Sequence, residues 1–416
     1  MNERMAAQTG EAAAMLDLGA THDFGDDDIA AVAEVLRSGH VGLGPKVVEF
    51  EEAFAAKHGA KYAVTASSGT AAMHVCIGAL NPEPGSEIIV SPWTAGGSII
   101  GAILHNCVPV FADVDDTYTL DPADVEAKIT PLTRAIMAVH LFGNPCDMDA
   151  LQAIADRHGL ALIEDCCQAH FAESQGRTVG TVGDIGGFSF GGKHLSAGTG
   201  GAVVTNDQAL WERAILFRDA ALPRDNGPLQ GQPYANYFLA PNYKMGDLMA
   251  AVLRSQLEKV DGYIERKIAT AEAIIDGLSD MDEITPQRVR PGDRHTYWVL
   301  GFTLDTDTLG CSAWDFAEEV SRAGVPLGGP YVGSGRHGPL YRNPFLAGPH
   351  GYGQSRFPFD FERETPMDYT QVECARGEDI MGRGVSLQMT PNISAEAVET
   401  IVSTVRKTTA AYLSRR

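Results

Sequence analysis

The chain predicts an α/β protein of two domains, the larger a mostly parallel central sheet covered on both faces by helices and the smaller an α+β C-terminal unit. Three observations predict it. Its 416 residues exceed what one hydrophobic core ordinarily serves. Apolar runs of strand length alternate with helix-length amphipathic runs from Lys61 to Asp207. Hydrophobic residues make up 44% and charged residues 21%, enough apolar side chain to bury a core.

Residues 1–18 read as a loose tail or a peripheral helix, with Glu3, Arg4 and an Ala-rich polar stretch in place of a signal peptide's apolar core. From Asp26 to Arg37, DDDIAAVAEVLR places acids first and a base last on an apolar stripe, as a helix dipole favours. SGHVGLGPK is a Gly-rich turn, and VVEFEEAFAAKHG a second helix closed by Gly59. Then come the strand KYAVTAS, the helix SGTAAMHVCIGAL, the strand EIIVSP, the helix SIIGAILHN, and the strands VPVFADV and AIMAVHLFG. MDALQAIADRHG is a helix, and LALIEDCC, GGFSF and GGAVVTND are strands. Such near-continuous apolar strands belong to a sheet buried on both faces, whose ligands gather at strand carboxyl ends. One helical stretch from Asp247 to Leu278 leads to the second domain, with a strand TYWVLGFTL, a helix AWDFAEEVSRAG and a last helix SAEAVETIVSTVRKTTAAYL. The expected division is a tail over 1–18, a large domain over 19–255 and a small domain over 256–416. Within the last, the Gly-, Pro- and aromatic-rich segment 328–368 is expected to cover the site.

The net charge of −22 repels phosphate backbones and anionic bilayers, so neither nucleic acid nor a membrane is an expected partner. The segment Ser98–Phe111, broken by His105, Asn106 and Pro109, is too short to span a bilayer. Seven scattered cysteines without CxxC spacing suit a reducing cytoplasm and give no metal site.

Three places carry chemistry. Gly69 and Thr70 lie between a strand and a helix, where backbone N–H groups hold a phosphate; an ordinary helix cap is the alternative. Asp165 ends an apolar strand, where a buried carboxylate needs a cationic partner such as a protonated pyridine nitrogen; the alternatives are a carboxylate that caps the next segment or pairs with an arginine. Lys193 sits among Gly-rich turns, with Ser189 four residues earlier as a further phosphate donor. A lysine held among small neighbours can lose its proton and attack a carbonyl, whereas a solvated lysine does nothing of the kind. His140 reads as a core or near-site histidine, and His295, Tyr331 and His337 as places to seek substrate contacts.

The segments GLGPKVVEFEEAFAAKHGAKYAVTASSGTAAMH, VPVFADVD, TRAIMAVHLFGNPCDMDALQAIADRHGLALIEDCCQAH, VGDIGGFSFGGKHLSAGTGGAVVTND and APNYKMGDLMAAVLRSQLEKVDGYIERK resemble the DegT/DnrJ/EryC1/StrS family of sugar and cyclitol aminotransferases over residues 25–270. The resemblance implies the fold type I of pyridoxal 5'-phosphate (PLP) enzymes, resembling aspartate aminotransferase, and a homodimer with shared active sites. It implies Lys193 as the Schiff-base lysine, Asp165 as partner of the pyridine nitrogen, Gln168 against the cofactor ring, and Gly69, Thr70 and Ser189 on the phosphate. Asn242 would reach the phosphate of a neighbouring subunit. The family's spacing from the serine to the lysine is one longer, which would put His194 in the lysine position, as in dehydratase relatives. Counting back from Gly200 and Gly201 puts Lys193 there. Thr199 replaces a family glutamate, and Ala95 stands where a ring-stacking aromatic is usual, so Trp93 is the stacking candidate, with a tryptophan packed in the domain core as the equal alternative. The implied reaction moves an amino group from L-glutamate or L-glutamine to an inosose-type cyclitol ketone or a keto-sugar. A dehydratase or aromatising enzyme resembling amino-hydroxybenzoate synthases and a non-catalytic PLP-binding regulator are the alternatives.

Overall fold

The computed structural model describes residues 13–225, 227–330, 338–348, 353–361 and 367–415. Helices α1 (Asp26–Ser38) and α2 (Pro45–His58) come first. Asp28 Oδ2 accepts from Gly25 N at 2.8 Å at the positive end of α1. The large domain then runs β1 (Tyr62–Ala66), α3 (Gly69–Leu80), β2 (Glu87–Val90), α4 (Gly96–Leu104), β3 (Val108–Phe111), α5 (Pro122–Ala127), β4 (Thr133–Val139), α6 (Met148–His158), β5 (Ala161–Asp165), β6 (Glu173–Ser174), β7 (Arg177–Thr178), β8 (Ile185–Ser189), β9 (Gly201–Thr205) and α7 (Gln208–Arg218). Seven of these strands form one sheet in the order β1-β9-β8-β5-β4-β2-β3. Only β9 runs antiparallel to its neighbours. α3 is apolar on every side and buried along almost its whole length against this sheet. Its approach to β8 depends on Gly187, where a Cβ would stand 2.5 Å from Met73 Sδ.

The periodicity over 247–278 predicts one helix; the chain forms two, α8 (Asp247–Leu257) and α9 (Val260–Gly277). Asp247 Oδ1 accepts from Gly44 N and Val47 N, both at 3.0 Å, tying α8 to the start of α2. Val260 and Ile264 pack with the large domain, whereas Ala271, Ile274 and Leu278 pack with the small one, so the passage between domains runs along α9 rather than falling at 255. The small domain holds β10 (Ile284–Pro286), β11 (Val299–Leu304), α10 (Thr306–Leu309), α11 (Ala313–Arg322), α12 (Pro344–Ala347), α13 (Ala375–Arg383), β12 (Gly384–Gln388) and α14 (Ala395–Ser414). Its antiparallel sheet is ordered β10-β11-β12.

One expectation needs correction. Residues 13–18 are no loose tail: Ala13 N donates to Arg322 O at 3.3 Å, Leu16 N to Gly324 O at 2.6 Å, and Leu16 and Leu18 pack on the small-domain core. Residues 1–12 lie outside the described residues. The described parts of 328–368 dock in part on the large domain. Leu340 N donates to Pro92 O at 3.0 Å, and Tyr341, with Tyr369 just beyond, sets its ring against Phe111 of β3 at 5.5 and 5.8 Å. β3 is the edge of the sheet, and these aromatics cover it.

Candidate active site

The carboxyl ends of the parallel strands converge on a cleft of about 450 Å3, mouth included. Gly69 and Thr70 reach it from the start of α3, Thr94, Ala95, Gly97 and Ser98 from the start of α4, and Val139 from the end of β4. Asp165, Cys167 and Gln168 follow from β5, Ser189 from the end of β8, and Lys193 from the loop beyond. Six of the eight residues singled out in the sequence therefore meet in one place.

The start of α3 is capped by Ser68, whose Oγ accepts from Ala71 N at 3.1 Å. The N–H groups of Gly69 and Thr70 precede the first intrahelical bonds, where an anion is favoured. Gly69 has a steric reason to be glycine, because a Cβ there would stand 2.5 Å from Ser189 Cβ. A Cβ on Gly97 would stand 2.7 Å from Thr70 Oγ1, so α4 also begins against this corner.

Asp165 is buried at the end of β5 and bonded by neutral donors. Oδ2 accepts from Ser98 Oγ at 2.6 Å, Ser98 Oγ lies 2.7 Å from Thr94 Oγ1, and Oδ1 accepts from Cys167 N at 3.0 Å. These bonds aim the carboxylate without neutralising it, and its remaining lone pairs can serve a cationic ligand. Gln168 Oε1 accepts from Phe142 N at 2.8 Å, which leaves the side-chain amide nitrogen to donate into the cleft.

The lysine loop is held by its backbone on either side of the Lys193 side chain. His22 Nε2 donates to Lys193 O at 2.7 Å, and Trp298 Nε1 donates to Gly192 O at 3.1 Å. Burial pushes the Nζ amine down from 10.5 to about 8, against the opposing pull of Cys167 and Asp165. His194, the other candidate for the lysine position, faces away: it is buried, with Nε2 donating to Thr296 O at 2.8 Å.

Trp93 corrects the stacking expectation. It is 2% exposed in an aromatic cluster, its ring 4.7 Å from Tyr118 and 6.0 Å from Phe142. Ala95 takes the place in the cleft lining, and the large apolar indole is buried in the core instead. Asn242 also lies outside this chain's own cleft, bridged to Asp219. His140 spends both ring nitrogens, Nδ1 accepting from Cys146 N at 3.0 Å and Nε2 donating to Glu164 Oε2 at 3.1 Å. Glu164 in turn takes the N–H groups of Gly180, Val182 and Gly183, so this cluster with Cys166 is structural rather than metal-ligating. His295 is buried and stacked on Tyr297 at 3.8 Å, and Tyr331 and His337 lie outside the described residues. Sequence reasoning missed Thr94, Ser98 and Trp298. Ser98 carried one signal, a hydroxyl residue opening a helix after a strand.

The sequence matches the profile of the DegT/DnrJ/EryC1/StrS aminotransferase family over residues 22–350. An L-glutamine:2-deoxy-scyllo-inosose aminotransferase of Streptoalloteichus tenebrarius is 36% identical over 81% of this chain and 81% of its own. Among solved structures, DesV of S. venezuelae, in complex with a ketimine intermediate, superposes with a TM-score of 0.78 at 30% identity, covering 92% of this chain and 94% of that one. A 3-amino-5-hydroxybenzoic acid synthase superposes with a TM-score of 0.82 at 27% identity, over 95% of this chain and 100% of that one.

Proposed function

The chain belongs to the DegT/DnrJ/EryC1/StrS aminotransferase family, and from that premise we propose that it holds PLP in this cleft and moves an amino group from L-glutamine or L-glutamate to the ketone of an inosose-type cyclitol or a keto-sugar. It is an aminotransferase with the type I fold of PLP enzymes. One observation carries the reading: a buried amine held near 8 and a buried, uncompensated carboxylate line one cleft that begins at a helix N-terminus. The choice of glutamine and of a cyclitol follows the name of the S. tenebrarius relative.

The residues fit the cofactor. The α3 N–H groups, Thr70 and Ser189 would hold its phosphate, Asp165 its ring nitrogen, Gln168 the ring edge, and Lys193 Nζ its aldehyde carbon. When bound, PLP supplies an electron sink for the charge left on the substrate's amino-bearing carbon. Lys193, with an amine that loses its proton near neutrality, takes a proton from that carbon at Nζ and returns it on the other side of the transfer. Asp165, fixed by Ser98 and Cys167 N, would keep one orientation toward the ring nitrogen throughout.

Assembly as a homodimer is part of the proposal. Ile29 and Leu36 of α1 and Tyr234 and Leu239 expose large apolar surface, Leu239 being 97% exposed. Asn242 follows directly on that segment and would reach the neighbouring cleft. No helix among the described residues is long and apolar enough to cross a membrane, and the seven free cysteines suit a cytoplasmic enzyme.

The likeness to an aromatic-acid synthase keeps one second reading in play, removal of water from the acceptor by the same machinery. A panel of keto-cyclitols and nucleotide keto-sugars, with glutamine or glutamate, read by mass spectrometry, separates the two. The added amine is expected; water loss without amine transfer rejects the transamination reading.

A further inference from the structure

Trp298 stands just before β11 and is tied to both domains. Its N–H donates to Phe142 O at 2.7 Å, its carbonyl accepts from Gln388 Nε2 at 2.9 Å, and its indole N–H donates to Gly192 O at 3.1 Å. With its backbone and ring edge both held and only 9% of the residue exposed, the ring has one orientation. In that orientation its face meets Lys193 Nζ, 3.3 Å from the ring centroid. An ammonium is drawn to the negative face of an indole at this range, the more so out of water, while a neutral amine gains little.

We propose that the face of Trp298 is the docking place of the Lys193 amine whenever that amine is free, holding it as an ammonium at the rim of the cleft until it returns. The proposal rests on Lys193 being the cofactor-bearing lysine. Trp298 is then a positioning residue. It touches the lysine and not the substrate, and it keeps the released amine from swinging into solvent. The charged and titratable groups around Nζ are Asp165 at the end of β5 and Cys167 after it, which favour the ammonium, and His170 and Lys267 of α9, both of which the Lys193 charge pushes toward their neutral forms. Burial also opposes it, and the ring offsets part of that cost.

The test uses the cofactor-free protein, where the amine is free in every molecule. Trace acetylation with acetic anhydride across pH 6–10, followed by mass spectrometry of the peptide holding position 193, reads the pH at which the amine becomes reactive. The wild-type midpoint is expected near about 8. Trp298→Leu removes the face and is expected to lower the midpoint by about one pH unit. Trp298→Phe keeps a face, loses the indole N–H, and is expected to restore most of the difference. An unmoved midpoint in Trp298→Leu overturns the proposal, as does an equal drop in both variants, which would trace the effect to the bond with Gly192. If Trp298→Leu does not fold, biosynthetic replacement by ring-fluorinated tryptophan keeps shape and N–H while weakening the face. A lowered midpoint then supports the docking role and an unchanged one overturns it. Adding PLP to the wild-type protein checks the premise separately. No visible absorption band overturns the cofactor reading and this role with it, whereas a band with an unmoved midpoint overturns this role alone.

Discussion

At the scale of single residues, the proposed function rests on two ionisable groups, the Lys193 amine and the Asp165 carboxyl group. Burial lowers the Lys193 amine to about 8, while hydroxyl and amide donors fix the direction of the Asp165 carboxyl group. The amine's condition sets a pH dependence. Below its pKa the amine is protonated and cannot attack; above it the amine is free. The rate at which cofactor-free protein captures PLP, read from the growth of the visible band, is therefore expected to rise with pH and level off above about 8. A rise continuing to the ordinary lysine value of 10.5 would show that the side chain is solvated. Asp165→Asn keeps the shape and removes the charge. PLP should still bind while turnover falls by roughly two to three orders of magnitude, the size of losing one preorganised charge-stabilising group. Unchanged turnover would remove Asp165 from its role. Both residues were legible in the sequence because each breaks a local rule, a charge ending an apolar strand and a lysine among glycines. Ser98 and Trp298 were not, since each looks ordinary in its own segment. Trp298 meets the lysine loop across 106 positions of chain.

At the scale of elements, the site depends on how closely α3 and the end of β8 approach. Gly69→Ala puts a methyl 2.5 Å from Ser189 Cβ. The helix start must then move off, at roughly 1–3 kcal/mol of overpacking. A lower melting temperature of the cofactor-free protein is expected, together with weaker PLP binding in titration. If the variant binds PLP as tightly as the wild type, this corner does not hold the phosphate. The strands and helices around the cleft follow the predicted order because their apolar periods are set locally. The misplaced features are those decided by distant packing. The break between α8 and α9 lacks a proline or a helix-ending glycine to announce it. The anchoring of residues 13–18 on the small domain depends on a partner three hundred positions later. Trp93, beside the cleft in sequence, is drawn into the core by Tyr118 and Phe142.

At the scale of the whole molecule, the single chain leaves apolar surface on α1 and around Leu239 uncovered and places Asn242 outside its own cleft. In the proposed homodimer a second copy would account for both. Mixing Lys193→Ala with Asn242→Ala subunits should then recover part of the activity that each lacks alone, because one hybrid cleft has both residues intact. Proven heterodimers without recovery would show that each cleft is complete within one chain. The charge of the whole chain argues against nucleic acid as a partner, but neither charge nor composition says which lysine is chemical. Burial lowers two lysines to about 8, the partly buried Lys193 in the cleft and the deeply buried Lys267 on α9. Only Lys193 lines the space where an aldehyde would sit. Borohydride reduction of PLP-loaded protein, followed by peptide mapping of the entire chain, decides between them. The label is expected at position 193, and a label at Lys267, at any other lysine or nowhere would contradict the account.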